Sequence, residues 1–197
     1  MFSSRWLVRL SQVALFAAVV LLVILGQRYR QLAREFVRVR SHLGVLNVGD
    51  AVPALRTATV LGDSLSIGEV GQGRQVLLYL TKECPYCRAT MPAWRNIVQA
   101  TRDSAARRVS VVAIAVDSAE TIPQYLESYG IHVPVVALRD RRIRKLFRAA
   151  AVPQTVVLGD SGVVMYARLG QIPSRAARDS VLRFVFRNDS SRKANLR

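Results

Sequence analysis

A short apolar run that leads directly into two closely spaced cysteines constrains this chain more than any other feature. Gln75 to Thr81 is apolar apart from its ends, which is typical of a strand buried on both faces. The motif Cys84-Pro85-Tyr86-Cys87 follows, and Pro85 suits the first position of a helix, where its missing N–H costs nothing. The pattern predicts a strand that leads into a helix with Cys84 at its N-cap. The unpaired N–H groups and the positive dipole end of such a helix favour a thiolate at Cys84.

These are the only two cysteines in the chain, and two uses of the pair are open. A CxxC motif beside a strand and a helix indicates thiol–disulfide redox chemistry. Structural zinc takes four ligands, and only His42 and His132, far from the motif and from each other in sequence, could join the thiolates. We therefore expect a redox-active Cys84–Cys87 pair with no metal and no other cofactor. A soft-metal site that binds copper(I) through the two thiolates is the alternative.

The N-terminal segment, residues 1–27, is predicted to be a membrane anchor. Residues 10–26 are almost wholly apolar, which is close to the length of a short transmembrane helix. A cleaved signal peptide is the alternative, but no small-residue cleavage site follows the run. We therefore favour an uncleaved single-pass anchor.

Residues 28–47 are predicted to form a helical juxtamembrane linker. Either this helix lies with its Arg-rich face on anionic headgroups, or it continues the anchor as a stalk. The positive-inside rule, applied to the arginines on both flanks of the anchor, would place the following domain in the cytoplasm, although large domains can translocate despite their charge. The apolar residues that recur at helical spacing are Leu32, Phe36, Val39 and Leu43.

The chain of 197 residues carries a formal net charge of +16, which raises the question of an anionic partner. We interpret its densest basic cluster as the solvated face of a helix, with a phosphate-binding stripe as the alternative. Neither a nucleic-acid-binding motif nor interleaved aromatic residues accompany the cluster, so we expect no nucleic-acid partner. The cluster consists of Arg139, Arg141, Arg142, Arg144, Lys145 and Arg148.

From residue 48 onward, strands alternate with helices, and a hairpin and a last helix end the pattern. This order predicts an α/β domain at residues 48–187 with a mixed central sheet and helices on both faces. Residues 188–197 are predicted to be a flexible polar tail. The predicted elements are a hairpin within 53–67, a strand at 75–81, a helix at 85–105 with a kink at Pro92, a strand at 109–116, a helix at 120–129, a strand at 133–138, a basic helix at 141–150, strands at 154–158 and 163–168, and a helix at 174–187.

The combination of motifs in this domain resembles the thioredoxin superfamily. It is similar in particular to the membrane-anchored TlpA/ResA-type thiol-disulfide oxidoreductases, which have an AhpC/TSA-redoxin-like domain. The matching segments are Val48 to Pro53, Asp63 to Ile67, Val76 to Trp94 with the active-site motif and a proline five residues beyond its second cysteine, Val112 to Asp117, Tyr125 to Leu138, Ala151 to Thr155, and Gly159 to Val163.

The resemblance implies a thioredoxin-like three-layer sandwich and a role for each residue of the motif. Cys84 would be the attacking thiolate and Cys87 the buried resolving thiol. Pro153, in a cis peptide bond after Val152, would expose backbone to the substrate chain, and Pro85 and Tyr86 would help to position that chain.

The resemblance also implies partners and a compartment. The partners would be client proteins with thiols or disulfides, together with a membrane or soluble redox partner that resets the pair. The domain would face the periplasm or another extracytoplasmic space and serve cell redox homeostasis and antioxidant activity.

Several residues near the motif depart from the thioredoxin pattern. Leu78 stands where thioredoxin keeps a buried Asp that helps to move protons, and Glu83 replaces the aromatic residue of many relatives. Lys82 and Arg88 add positive charge close to Cys84 in sequence, which Glu83 opposes.

Thr81 and Cys84 together echo part of the peroxiredoxin signature. A peroxiredoxin-like peroxidase is therefore a second alternative, although the upstream proline of that signature is replaced by Leu77. A steric or hydrogen-bonding role for Thr81 in the loop is our first expectation.

Overall fold

The computed structural model describes residues 12, 15–31, 44–103, 108–117 and 119–187. The chain divides into two compact units, residues 1–43 and residues 44–197. Parts of the predicted anchor and linker, the end of the helix predicted at 85–105 and the predicted tail lie outside the described residues.

In the first unit, residues 15–31 form a helix, α1, whose side chains are exposed. Among the described residues, no helix combines the length and the apolar character needed to span a bilayer. The anchor at 1–27 stays a prediction.

The second unit is built on a five-stranded mixed sheet. Its strand order is β5-β4-β3-β6-β7, in which β3, β4 and β5 run parallel while β6 and β7 are antiparallel to their neighbours. The predicted hairpin is present, but its two strands form a separate antiparallel sheet. The strands are β1 Leu55–Ala58, β2 Ser64–Ile67, β3 Arg74–Leu80, β4 Val109–Ala115, β5 Val135–Ala137, β6 Gln154–Leu158 and β7 Val164–Leu169.

The central strand β3 is buried along its whole length, as its apolar run predicts. Successive side chains alternate between two cores: Leu78 and Leu80 face one core, and Leu77 and Tyr79 the other. Three helices, α2 (Pro85–Asp103), α3 (Ile122–Glu127) and α5 (Arg175–Phe186), cover the first core. Helix α4 (Arg141–Leu146), the hairpin and the segment before β1 cover the second. The predicted mixed central sheet is confirmed.

The helices start close to where the sequence predicts. Ser174 caps α5 by accepting a hydrogen bond from the Ala177 N–H at 3.2 Å, and Asp140 caps α4 in the same way from Arg142 at 2.6 Å. The helices are α2 Pro85–Asp103, α3 Ile122–Glu127 after a 3₁₀ turn at Ala119–Thr121, α4 Arg141–Leu146 and α5 Arg175–Phe186.

The basic helix predicted at 141–150 is shorter than expected, since α4 ends at Leu146. Phe147 and Ala149 are buried in the second core, and Arg148 between them has a φ of 45°, in the left-handed region. The chain leaves the helix because these two side chains turn inward.

The strand predicted at 133–138 is also shorter than expected, since β5 comprises only Val135–Ala137. It starts directly after Pro134, a residue without an N–H for the ladder.

Candidate active site

The CxxC motif lies where β3 ends and α2 begins. The Arg88 N–H donates to the Cys84 carbonyl at 3.2 Å, which is the first hydrogen bond of α2 and makes Cys84 its N-cap. The Cys87 N–H donates to Cys84 Sγ at 3.4 Å, so the sulfur itself caps the helix. Cys84 is half-buried and Cys87 is buried, and both are free thiols. A half-buried sulfur that receives an N–H at a helix N-terminus is placed to react with a partner that approaches from the surface.

Cys87 occupies a different environment only one turn away. It lies in the first core, together with Leu78 and Leu80 of β3. Burial raises the pKa of the Cys87 thiol to about 12 from an ordinary value of 9.0. A backbone hydrogen bond with Thr81 acts in the opposite direction, whereas Cys84 and the charge of Asp117 raise that pKa further. Cys87 is therefore held as a neutral thiol.

A proline loop faces Cys84 from the neighbouring strand. The Val152–Pro153 peptide bond is cis, the isomer that the resemblance implies. Cys84 Sγ lies 3.9 Å from the Val152 carbonyl oxygen. The two segments meet because β6 runs antiparallel to β3, with Gln154 paired to Tyr79, so the start of β6 lies beside the end of β3. The backbone before Pro153 therefore lies beside the Cys84 sulfur.

A buried hydrogen bond ties the helix of the motif to the strand of the proline. Trp94 Nε1 of α2 donates to Thr155 Oγ1 of β6 at 2.9 Å, and both side chains are fully buried. Thr155 is two residues beyond Pro153, so this bond helps to fix the distance between Cys84 and the proline loop. Neither residue stands out in the sequence, because the contact joins elements that are 61 residues apart.

The other predicted site residues surround Cys84 at the surface. Pro85 is exposed, and Tyr86 is 60% exposed. Lys82, Glu83 and Arg88 are exposed as well, and Thr81 is half-buried. Thr81 contacts Cys87 through its backbone. The functional roles of these residues stay predictions.

Two further titratable residues lie near Cys87. The Val116 N–H donates to the Leu80 carbonyl at 3.2 Å, which brings Asp117, the next residue, to the sheet edge where the CxxC motif starts. Burial, and then Tyr129, raise the pKa of Tyr125 to about 12, and Cys87 contributes to that shift. The Tyr125 hydroxyl is buried. The position of Asp117 at the end of an apolar strand was the signal in the sequence that could have pointed to it.

No group of three or more His, Cys, Asp or Glu side chains that could hold a metal ion is found within the described part of the chain.

The fold and this dithiol site define a class: a thioredoxin-like α/β redox protein. The chain belongs to the AhpC/TSA family, whose pattern matches residues 48–167. Among curated proteins, no similar sequence was found.

Solved structures with the same fold include a thiol:disulfide interchange protein, StoA and a peroxiredoxin-like protein. A thiol:disulfide interchange protein of the thioredoxin family from Chlorobium tepidum TLS is 22% identical, with 72% of this chain and 97% of that chain covered and a TM-score of 0.56. StoA from Bacillus subtilis is 16% identical, with 66% and 97% covered and a TM-score of 0.53. A peroxiredoxin-like protein from Aquifex aeolicus is 17% identical, with 71% and 88% covered and a TM-score of 0.53. At these identities the likeness establishes the fold.

Proposed function

We propose that this protein is a membrane-tethered thiol–disulfide oxidoreductase that works on cysteines of client proteins. The observation that carries the proposal is the contrast between the two thiols: Cys84 caps α2 at the surface, and Cys87 is buried one turn further on. This contrast gives one sulfur access to a client and keeps the other for the second step.

The proposed exchange has two steps. The Cys84 thiolate attacks one sulfur of a client disulfide, the client S–S bond breaks, and the released client sulfur takes a proton from solvent. Cys87 then loses its proton and attacks Cys84 Sγ in the mixed disulfide, which releases the second client thiolate and leaves a Cys84–Cys87 disulfide. The client gains two electrons, and the cysteine pair loses two. A membrane or soluble redox partner has to reset the pair, and the reverse sequence of steps oxidises a client dithiol.

The remaining site residues have positioning roles in this proposal. Backbone at Val152 and Pro153 faces the segment of the client that carries the reacting sulfur, since Cys84 Sγ lies 3.9 Å from the Val152 carbonyl oxygen. Pro85 and the exposed ring of Tyr86 contact the same segment from the other side. Thr81, Lys82, Glu83 and Arg88 tune the reactivity of the pair.

Turnover on a protein disulfide tests the proposal. The full chain should reduce insulin in the presence of a small dithiol, and both Cys84→Ser and Cys87→Ser should lose that turnover. Full activity in Cys84→Ser would contradict the mechanism. Turnover of hydrogen peroxide without a partner dithiol would favour the peroxidase alternative. Tight stoichiometric copper(I) binding with negligible exchange would favour the metal-handling alternative.

We also propose that the cysteine-bearing domain lies on the extracytoplasmic side, with residues 1–27 as the anchor. The support comes from the apolar run at 10–26 and the TlpA/ResA-type resemblance. A reporter that works only outside the cytoplasm, fused after Arg197, should be active. A silent reporter combined with protection from external protease would place the domain in the cytoplasm.

A further inference from the structure

The first residues of the second unit lie beside the loop that carries the cis-proline. We call residues 44–50 the entry segment, and we define the proline loop as residues 148–154, which end on the first residue of β6. Val45 and Leu46 of the entry segment are each only 1% exposed. Their burial anchors the entry segment to the body of the domain, so the segment can serve as a fixed support for the loop beside it.

The first contact joins the entry segment to the residue that follows the cis-proline. The Leu46 N–H donates to Gln154 Oε1 at 2.9 Å in a buried hydrogen bond. Gln154 is 1% exposed, and its Nε2 group has no hydrogen-bond partner among the described residues. A buried amide that is only half satisfied costs stability. A glutamine at this position is explained if its bond to Leu46 fixes the backbone directly after Pro153.

The second contact holds the other end of the proline loop. Arg148 Nη1 lies 2.7 Å from Asp50 Oδ2, and the Asn47 N–H donates to the same oxygen at 2.7 Å. Arg148 has a φ of 45°, a left-handed conformation that is unfavourable for an arginine. The charge-assisted hydrogen bond to Asp50 offsets part of that cost and holds the start of the loop against the entry segment.

A third contact lies between these two ends. Residues 149–151 are three alanines, which have little side-chain surface with which to hold the loop in place. Gly44 comes so close to the middle alanine that a Cβ added to Gly44 would lie 3.3 Å from Ala150 Cβ. The entry segment therefore contacts the proline loop at its start, in its middle and at its end.

The loop has a second support on another element. The Pro153 carbonyl accepts a hydrogen bond from the Gly170 N–H, just beyond β7, at 2.8 Å. Without the entry segment, this bond would be left to hold the backbone that lies 3.9 Å from Cys84 Sγ at the Val152 carbonyl oxygen. A displacement of about 1 Å at a reacting centre can lower a rate about a hundredfold.

We propose that the entry segment is a clamp that holds the proline loop at the distance from Cys84 at which a client chain contacts both. Gln154 and Arg148 are the positioning residues through which the clamp acts on the loop. This role rests on the proposed thiol–disulfide function, because it concerns the same site. Loss of the clamp should slow the reaction with a client chain but not with a disulfide too small to contact the loop.

Two disulfides of different size separate positioning from the reactivity of the sulfur. In a full-length Cys87→Ser background, intact mass spectrometry measures the rate of adduct formation on Cys84 with insulin and with hydroxyethyl disulfide. Gln154→Leu removes the acceptor of the Leu46 N–H. Arg148→Asn removes the ion pair and keeps a residue type that tolerates a positive φ. Both variants should lower the rate with insulin by about tenfold and leave the rate with hydroxyethyl disulfide unchanged. Arg148→Lys should retain both rates, since it keeps the charge.

Two control variants remove similar interactions away from the site. Gln75, at the start of β3, is 3% exposed, and its Oε1 accepts the Gly68 N–H at 2.7 Å. Its Nε2 group also donates to the Ser66 carbonyl at 2.8 Å. Gln75→Leu therefore loses more hydrogen bonds than Gln154→Leu, yet it should leave the ratio of the two rates unchanged. Arg56→Asn breaks an ion pair of 2.6 Å that starts on the hairpin and should also leave that ratio unchanged.

Hydrogen exchange of the backbone amides reports on the loop without any client. In Gln154→Leu and Arg148→Asn, exchange in peptides that cover residues 149–156 should become faster, whereas Gln75→Leu should leave it unchanged. The clamp is overturned if both loop variants keep the ratio of rates of the parent, or if Gln75→Leu lowers that ratio as far. Absence of any Cys84 adduct in the parent would refute the proposed function instead, and unchanged hydrogen exchange in the two loop variants would overturn the clamp by itself.

Discussion

At the scale of single residues, the chemistry depends on two sulfurs in unlike environments. Cys84 Sγ accepts the N–H of Cys87 at the start of α2, where the helix dipole favours negative charge. Cys87 lies in an apolar core, where a thiolate would lose its hydration. The same four-residue motif thus supplies a nucleophile and a thiol that stays protonated until the second step.

The raised pKa of Cys87 predicts a pH dependence of stability. An unfolded thiol ionises near its ordinary value of 9.0, whereas the folded thiol ionises near 12. Between these values the native state holds a proton that the unfolded state has lost, so the free energy of unfolding of the reduced chain should fall as the pH rises. In Cys87→Ala, the free energy of unfolding should fall less over the same pH range. Urea unfolding of both reduced proteins across this pH window measures the difference, and parallel curves would contradict the burial of a neutral thiol.

The negative charge of Asp117 raises the pKa of Cys87. Asp117→Asn is expected to lower that pKa, because a negative neighbour disfavours the thiolate. The change should be small, since burial is the largest cause. Ultraviolet absorbance of the thiolate against pH, measured in a Cys84→Ser background, reports the shift.

Asp103→Asn is the matched control for this substitution, because Asp103 ends α2 while Cys87 lies in its first turn. It should leave the pKa of Cys87 unchanged. Because Asp117→Asn lowers the pKa of Cys87, this variant should also release mixed disulfides faster at neutral pH. A slower release would mean that the Asp117 carboxylate accepts the Cys87 proton. Asp117 would then have the role that the buried Asp has in thioredoxin, where this chain has Leu78.

At the scale of elements, the bond between Trp94 and Thr155 holds α2 against β6. Thr155→Val removes the acceptor and leaves a buried indole N–H without a partner, so it should cost about 1–3 kcal/mol of stability. Exchange activity should fall as well, because the same contact positions the CxxC motif against the proline loop. Urea unfolding and insulin reduction measure the two effects.

Thr101→Val is the control for that prediction. The Thr101 hydroxyl donates to the Val98 carbonyl at 2.7 Å within α2, so its loss breaks no link between elements. It should cost less stability and leave the exchange rate unchanged. Equal losses of activity in the two variants would show that the link to β6 does not position the site.

Most elements of the fold could be predicted from local patterns. The apolar runs predict β3, β4 and β6 to within a residue, because buried strands need continuous apolar sequence. The end of α4 could not be predicted, since Phe147 and Ala149 leave the helix to enter a core built by other elements. The separation of the hairpin from the main sheet was also not predictable, because pairing between strands is decided by contacts distant in sequence.

At the scale of the whole molecule, the mixed topology assembles the candidate site. The ends of β3 and β4 meet the start of β6 at one edge of the sheet, because β6 runs opposite to its neighbour. This edge brings together the CxxC motif, Asp117 and the cis-Pro153 loop. The cysteines could be predicted from their spacing alone. The position of Asp117 at the end of the neighbouring parallel strand could have pointed to it, whereas the approach of Tyr125 to Cys87 could not be predicted, because it follows from the packing of α3 into the first core.

Trapping of the mixed disulfide shows directly which of the two cysteines attacks the client. The full-length Cys87→Ser and Cys84→Ser variants are each mixed with a protein disulfide, quenched with acid and analysed by intact mass spectrometry. We expect a stable adduct on Cys84 in the Cys87→Ser variant and no adduct in Cys84→Ser, because the remaining thiol of the latter is buried and protonated. An adduct that forms equally fast on Cys87 would contradict the assignment of Cys84 as the attacking residue and, with it, the proposed mechanism.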